Sequence, residues 1–282
     1  MVARVQRRGR RRAVRSAVAV VVLAALAAGA GLLLHRSRAP ATPACTASGP
    51  AGLFAVDLEQ AANATTIASV ARRDGLPDHA VTVALAAALQ ESKLRNVAFG
   101  DLDSVGLFQQ RPSQGWGPAS ELVVPRLATE AFFRALVKVP GWTALAVTEA
   151  AQRVQHSAAP DAYAQWESEA RTLAQGLTGE TPATFACHFP MPARVGADEP
   201  LATALAADNG SGVVGATVAP GRGWVAAAWL VGHADAYRIA EVAYAGERWT
   251  AASGRWSRDA SAGPEVTMLR AGVRTGAEMA VP

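Results

Sequence analysis

The sequence predicts a mainly α-helical domain followed by a small α/β domain, both carried behind one transmembrane helix. Three observations predict this. An uncharged apolar stretch of about twenty residues follows a run of arginines at the N-terminus. Residues 57 to about 177 carry helical periodicity, and the last seventy or so residues mix strand-like with helical composition.

The N-terminal element comes first. "RVQRRGRRRAVR" precedes "AVAVVVLAALAAGAGLLL", while only Arg36 and Arg38 follow closely. Positive flanks stay cytoplasmic, so residues 1–13 are expected inside, 14–34 across the membrane and the remainder outside. The competing reading is a cleaved signal peptide, with "APATPA" supplying the small residues of a cleavage site and a secreted product. The apolar run exceeds the usual core of a signal peptide, about 7 to 15 residues, which favours a retained anchor. The formal charge of +4 lies largely in this segment, so a nucleic-acid partner is not expected. A membrane partner is.

Residues 35–56 are rich in proline and small side chains and read as a linker. Helices are then predicted in "DLEQAANATTIASVARRDG", closed at Gly75, and in "HAVTVALAAALQESK", opened by Pro77 and Asp78. The second is apolar nearly all round, which places it at the centre of a core. "RLATEAFFRALVKV", "WTALAVTEAAQRVQHSA" and "DAYAQWESEARTLAQGL" continue the helical domain, which is bounded at 57–187. Residues 188–211 form a second linker. In the final domain, 212–282, "GVVGATVA", "IAEVAYAG" and "ERWTAAS" read as strands around a helical "GWVAAAWLVGHADAY".

Two cysteines, Cys45 and Cys187, fall on the outer side, where a disulfide can form. Either they pair and close almost the whole helical region, or they remain two thiols. Neither belongs to a CxxC pair, so no metal is expected from them, and no cofactor is called for elsewhere.

Chemistry concentrates between the second and third helices. Glu91 ends an apolar helix and is followed by about thirty residues without period, containing "GDLDSVGLFQQRPSQGWG". An irregular segment of that length inside a compact domain is usually functional. The preceding "ALAAAL" would desolvate a carboxyl, which favours the protonated form of an acid, and glycoside cleavage needs such an acid to protonate the leaving oxygen. Asp101 and Asp103 are possible second carboxylates, or else caps of the turn. "DLDSVG" also echoes a calcium loop but lacks its final acid. Trp116 either stacks on a sugar face or anchors the loop to the core. Trp142 and Trp166 read as core residues.

"ALAAALQESKL" followed by "SVGLFQQRPSQGWG" resembles the catalytic core of soluble lytic transglycosylases and goose-type lysozymes. The resemblance covers roughly residues 57–177 and implies a lysozyme-like fold. It puts Glu91 at the general acid, followed by Ser92, with Ser104, Gly106, Leu107 and Gln109 on the loop motif. The loop continues as "FQQRP" where the family usually has methionine-glutamine. Tyr163 is the candidate counterpart of the tyrosine that closes the cleft. Ser104, Gln109, Gln110, Trp116 and Tyr163 are thus candidate substrate-binding residues, and glycan strands of peptidoglycan are the implied partner. The C-terminal region resembles peptidoglycan-associated domains related to zinc D,D-carboxypeptidases. No histidine follows His233, so zinc ligands are not expected there. Two functions follow: a muralytic glycosidase or lytic transglycosylase, or a catalytically inactive wall-binding or scaffold protein.

Overall fold

A computed structural model of the chain describes residues 43–157, 159–190 and 200–272. The basic segment and transmembrane helix expected at 1–34 lie outside these residues. No helix among the described residues is long and apolar enough to cross a membrane.

The structure mixes helices with two small antiparallel sheets. The first sheet begins in the stretch whose composition reads as a linker. Ala44–Gly49 (β1) and Gly52–Val56 (β2) form a hairpin, and Phe185–His188 (β3) pairs on the other side of β1. Cys45 stands directly opposite Cys187 in this register, and the two are joined by a disulfide. The bridge spans 142 residues of sequence. On the chain-entropy account, closing so long a loop stabilises by up to about 5 kcal/mol.

Leu58–Arg73 (α1) starts at a reciprocal cap: Asp57 accepts from the Gln60 amide at 3.0 Å, while the Gln60 side chain accepts from the Asp57 amide at 2.9 Å. Asp78–Ser92 (α2) follows Pro77, and every residue from Ala80 to Leu89 is buried. This apolar helix is the axis of the core, with Val147–Gln155 (α5) and Glu167–Thr178 (α6) packed along it. Ala119–Leu122 (α3) and Pro125–Leu136 (α4) complete the helical layer, and α4 packs on α1. Two expected helices are subdivided. Trp142–Ala144 and Pro160–Trp166 are short 3-10 turns placed ahead of α5 and α6.

Leu201–Asn209 (α7), Pro220–Gly232 (α8) and Ala234–Tyr237 (α9) precede Ile239–Tyr244 (β4), Glu247–Thr250 (β5), Arg255–Arg258 (β6) and Thr267–Arg270 (β7). Their sheet has the order β6-β5-β4-β7. Strand-like "GVVGATVA" contributes only isolated bridges at Val214 and Thr217.

The C-terminal elements share the core of the helical region, and the described residues make one compact unit. Helix α8 packs against both α1 and α6. The contact is close at Gly232, where an added Cβ would meet the Thr65 side chain at 2.7 Å. Two indoles tie the sheets together: Trp249 donates to the Cys187 carbonyl at 3.2 Å and Trp256 to the Phe185 carbonyl at 2.7 Å. These bonds satisfy the outer edge of β3 with side chains in place of a fourth strand.

Candidate active site

Helix α2 ends abruptly just beyond Glu91. Lys93 and Leu94 both take left-handed backbone angles, φ 57° and 60°, turning the chain back across the helix end. Such consecutive angles are unfavourable away from glycine, so neighbouring groups must hold them. They do: Gln60 and Asn63 of α1 each donate to one of the two carbonyls, at 2.8 Å. Arg95 is held by Asp57, the cap of that helix, and by Glu59 in its first turn. The start of the irregular loop is thereby fastened to α1, and Glu91 is left half-buried on the last turn of α2.

The loop is then folded over that helix end. Ser92 donates to the Leu107 carbonyl at 2.7 Å. Gly106 has φ +76°, and a Cβ there would stand 2.0 Å from the Leu122 carbonyl oxygen. Only glycine fits this approach. Leu107 and Phe108 go into the core, Phe108 stacking on Phe132 of α4.

The sequence-predicted site residues separate into two groups. Tyr163, fully buried in the 3-10 turn before α6, donates its hydroxyl to Glu91 Oε1 at 2.8 Å across 72 residues of chain. Burial first, then the neighbouring Glu91 carboxylate, push the phenol pKa well above its ordinary value. Tyr163 is therefore a neutral hydrogen-bond donor throughout the biological pH range. Glu91 and Tyr163 are brought together; several loop residues are turned to structural use. Gln110 is 1% exposed and donates to the Ala128 carbonyl at 3.1 Å, while Gln109 donates back to Gly106 at 3.1 Å. Ser104 is buried.

Of the two candidate second carboxylates, Asp103 accepts from Arg111 Nε at 2.9 Å, the Ser113 amide at 2.7 Å and the Ser113 hydroxyl at 2.9 Å. These bonds, Arg111 foremost, hold its carboxyl at a pKa of about 2. Such an acid is a fixed anion tying the turn to the 112–114 segment. Asp101 is exposed and its backbone carbonyl closes the turn to Ser104. Trp116 is half-buried against the core and forms one wall of an open groove of about 660 Å³. Glu91 is not among the residues lining that groove.

Four contacts around Glu91 are not legible in the local pattern. Gln90 accepts from Trp166 Nε1 at 2.8 Å and from Gln165 at 3.1 Å, pinning the 160–166 turn to the end of α2. Tyr163 and Trp166 lie three apart in a 3-10 turn and so project from the same side. Ser157 lies beside the Tyr163 hydroxyl and acts against the upward shift of its pKa. Lys93 Nζ sits 4.2 Å from the centre of the Trp166 ring. The only available sequence signal was adjacency: Gln90 next to Glu91, and Trp166 one 3-10 turn after Tyr163. Beyond these, Phe99 and Leu102 project from the loop, 79% and 74% exposed. Among the described residues no group of His, Cys, Asp and Glu could hold a metal ion. No protein-family model matches the chain, and no curated protein matches it significantly in sequence.

Proposed function

We propose that the protein cleaves glycan strands of peptidoglycan, in the manner of a lytic transglycosylase or muramidase, with Glu91 as the general acid. The observation that carries this reading is the hydrogen bond from a buried, neutral Tyr163 to Glu91 at the end of a buried, largely apolar helix. One carboxyl is thereby oriented by a rigid donor, with a loop lying over the helix end. In a glycan complex, Glu91 passes its proton to the glycosidic oxygen as the bond to the anomeric carbon breaks, and the new hydroxyl leaves. The carboxylate so formed then takes a proton from the attacking oxygen. In the lyase version that oxygen is the sugar's own hydroxyl, and in the hydrolase version it is water. A single well-placed acid suffices for the lyase chemistry, consistent with Asp103 being occupied by Arg111 and Ser113. The expected setting is the outer side of the membrane, behind the N-terminal anchor.

The test is release of soluble muropeptide from purified peptidoglycan. Glu91→Gln is expected to lower it by at least about 100-fold, the usual loss for a general acid. Equal release by wild type and Glu91→Gln would end the enzymatic reading. An inactive wall-binding protein is the second reading, favoured by the inward turn of Gln109 and Gln110. It predicts retention on insoluble wall material that survives Glu91→Gln, with no product from either form.

A further inference from the structure

The open groove beside Trp116 has a property that the glycan reading leaves unused. It runs between the C-terminal ends of α4 and α5, with Gly115 and Trp116 at one side. Arg134, Lys138, Arg153 and His156 all line it, and no carboxylate does. Basic residues at the last turns of helices complement the carbonyl ends, which accounts for each helix taken alone. It does not account for two such ends converging on one concavity walled by an indole. Arg153 is paired with Glu149 at 2.6 Å, and Arg134 lies 4.0 Å from Glu130. Lys138 and His156 have no ion-pair partner among the described residues. The groove is therefore a concave surface of one sign, which concentrates anions. Its volume, about 660 Å³, lies within the range of ordinary ligand sites.

Its position narrows the ligand. Gln152, which lines the groove, donates to the Ser157 carbonyl at 2.8 Å. The Ser157 side chain meets the Tyr163 hydroxyl, which in turn donates to Glu91. The short segment 155–157 thus touches the groove through His156 and the surroundings of Glu91 through Ser157, with Gln155 binding the Phe108 carbonyl of the loop at 2.9 Å. A branch leaving a glycan bound at Glu91 follows this segment to reach the cationic groove.

We infer that the groove is a second binding surface that receives the carboxylate-bearing peptide branch of the glycan, with Arg134, Lys138 and Arg153 supplying charge, His156 a hydrogen-bonding edge and Trp116 an apolar wall. The inference rests on the reading of Glu91 as a glycan site, but its test reads binding and not cleavage. The full chain in detergent is titrated with two probes: a disaccharide carrying an acidic peptide with free carboxylates, and the same compound with those carboxylates amidated. The free acid is expected to bind about 10-fold more tightly at low salt, with the preference shrinking as salt is raised. Arg134 is 63% exposed and Lys138 is also exposed, so Arg134→Ala with Lys138→Ala spares the core and is expected to cut the preference to below about twofold. Lys138→Glu alone should weaken the free acid and leave the amide unchanged. Equal affinity for the two probes, a preference untouched by these substitutions, or no binding of either probe would overturn the inference. A preference that persists in Glu91→Gln while wild type releases no product removes the catalytic reading and leaves the groove standing.

Discussion

At the scale of single residues, the site depends on a donor and a glycine. Tyr163→Phe keeps the ring in its buried pocket and removes only the hydroxyl that reaches Glu91 at 2.8 Å. With Glu91 as the general acid, this bond strengthens as Glu91 becomes a carboxylate. Hydrogen bonds to a charged group contribute about 1.5–3 kcal/mol, so muropeptide release is expected to fall by about 10-fold or more while the melting temperature shifts little. Unchanged release in a folded variant would remove Tyr163 from the site. Gly106→Ala acts differently, because a Cβ would overlap the Leu122 carbonyl at 2.0 Å and the φ of +76° disfavours any side chain. A loss of about 2 kcal/mol or more is expected in chemical denaturation. The place of Glu91 at the end of a buried apolar helix was legible in sequence, a local fact; the close approach of Gly106 to the Leu122 carbonyl of α3 was not. Nor were the Gln90–Trp166 and Ser157–Tyr163 contacts. They join residues far apart in the chain, or across a turn whose 3-10 geometry the composition does not announce. The loop glutamines illustrate the converse, for a polar side chain in a loop reads as available to ligand until its backbone partner is seen.

At the scale of elements, helices were more legible than strands. Helix α2 carries an unbroken apolar run with Pro77 before it, and that pattern needs no partner to be recognised. Strand β1, "ACTASG", has small side chains and little β-branching, and it becomes a strand because β2, β3 and the Cys45–Cys187 bridge hold it on both sides. Conversely, "GVVGATVA" has strand composition but no continuous partner. The C-terminal end of α8 offers a test of element packing. His233 is stacked on Trp229, with Nδ1 near the Trp229 carbonyl at 3.0 Å and Thr65 Oγ1 at 3.3 Å. Burial pushes its pKa down to about 4, against about 6.5 in the unfolded chain. The unfolded chain thus binds more protons between those values, so His233 makes stability rise with pH across the window and fall as the medium is acidified through it. Burial raises the pKa of Asp208 and Asp235, which act in the opposite sense. Subtracting the denaturation profile of His233→Gln from that of wild type isolates the histidine. The difference should change by about 1–3 kcal/mol between pH 6.5 and 4, and a flat difference would show that His233 titrates normally.

At the scale of the whole molecule, the decisive fact is that the C-terminal elements complete a core begun by the helices. Every residue of α8 from Gly223 to Gly232 is buried, against α1 and α6 as well as against its own sheet. Trp249 and Trp256 reach back to the backbone of β3, the strand that carries Cys187. Residues 188–211 looked like a linker because proline and glycine gather there, but composition measures local stiffness and says nothing of what the two sides bury together. A chain ended after residue 190 should therefore lose more than a separate module. It would expose the apolar faces of α1 and α6 and leave the Phe185 and Cys187 carbonyls without their indole donors. Trp224 and Trp229 alone each cover roughly 150–250 Å² of apolar surface, equivalent to about 4–6 kcal/mol each at 25 cal/mol per Å². That is comparable with the whole stability of an ordinary domain. The truncated chain is expected to bind a hydrophobic dye and to lose its cooperative thermal transition, even with the disulfide intact. A sharp transition at the melting temperature of the full chain would mean instead that the helical region folds alone, and that the C-terminal sheet only rests on it.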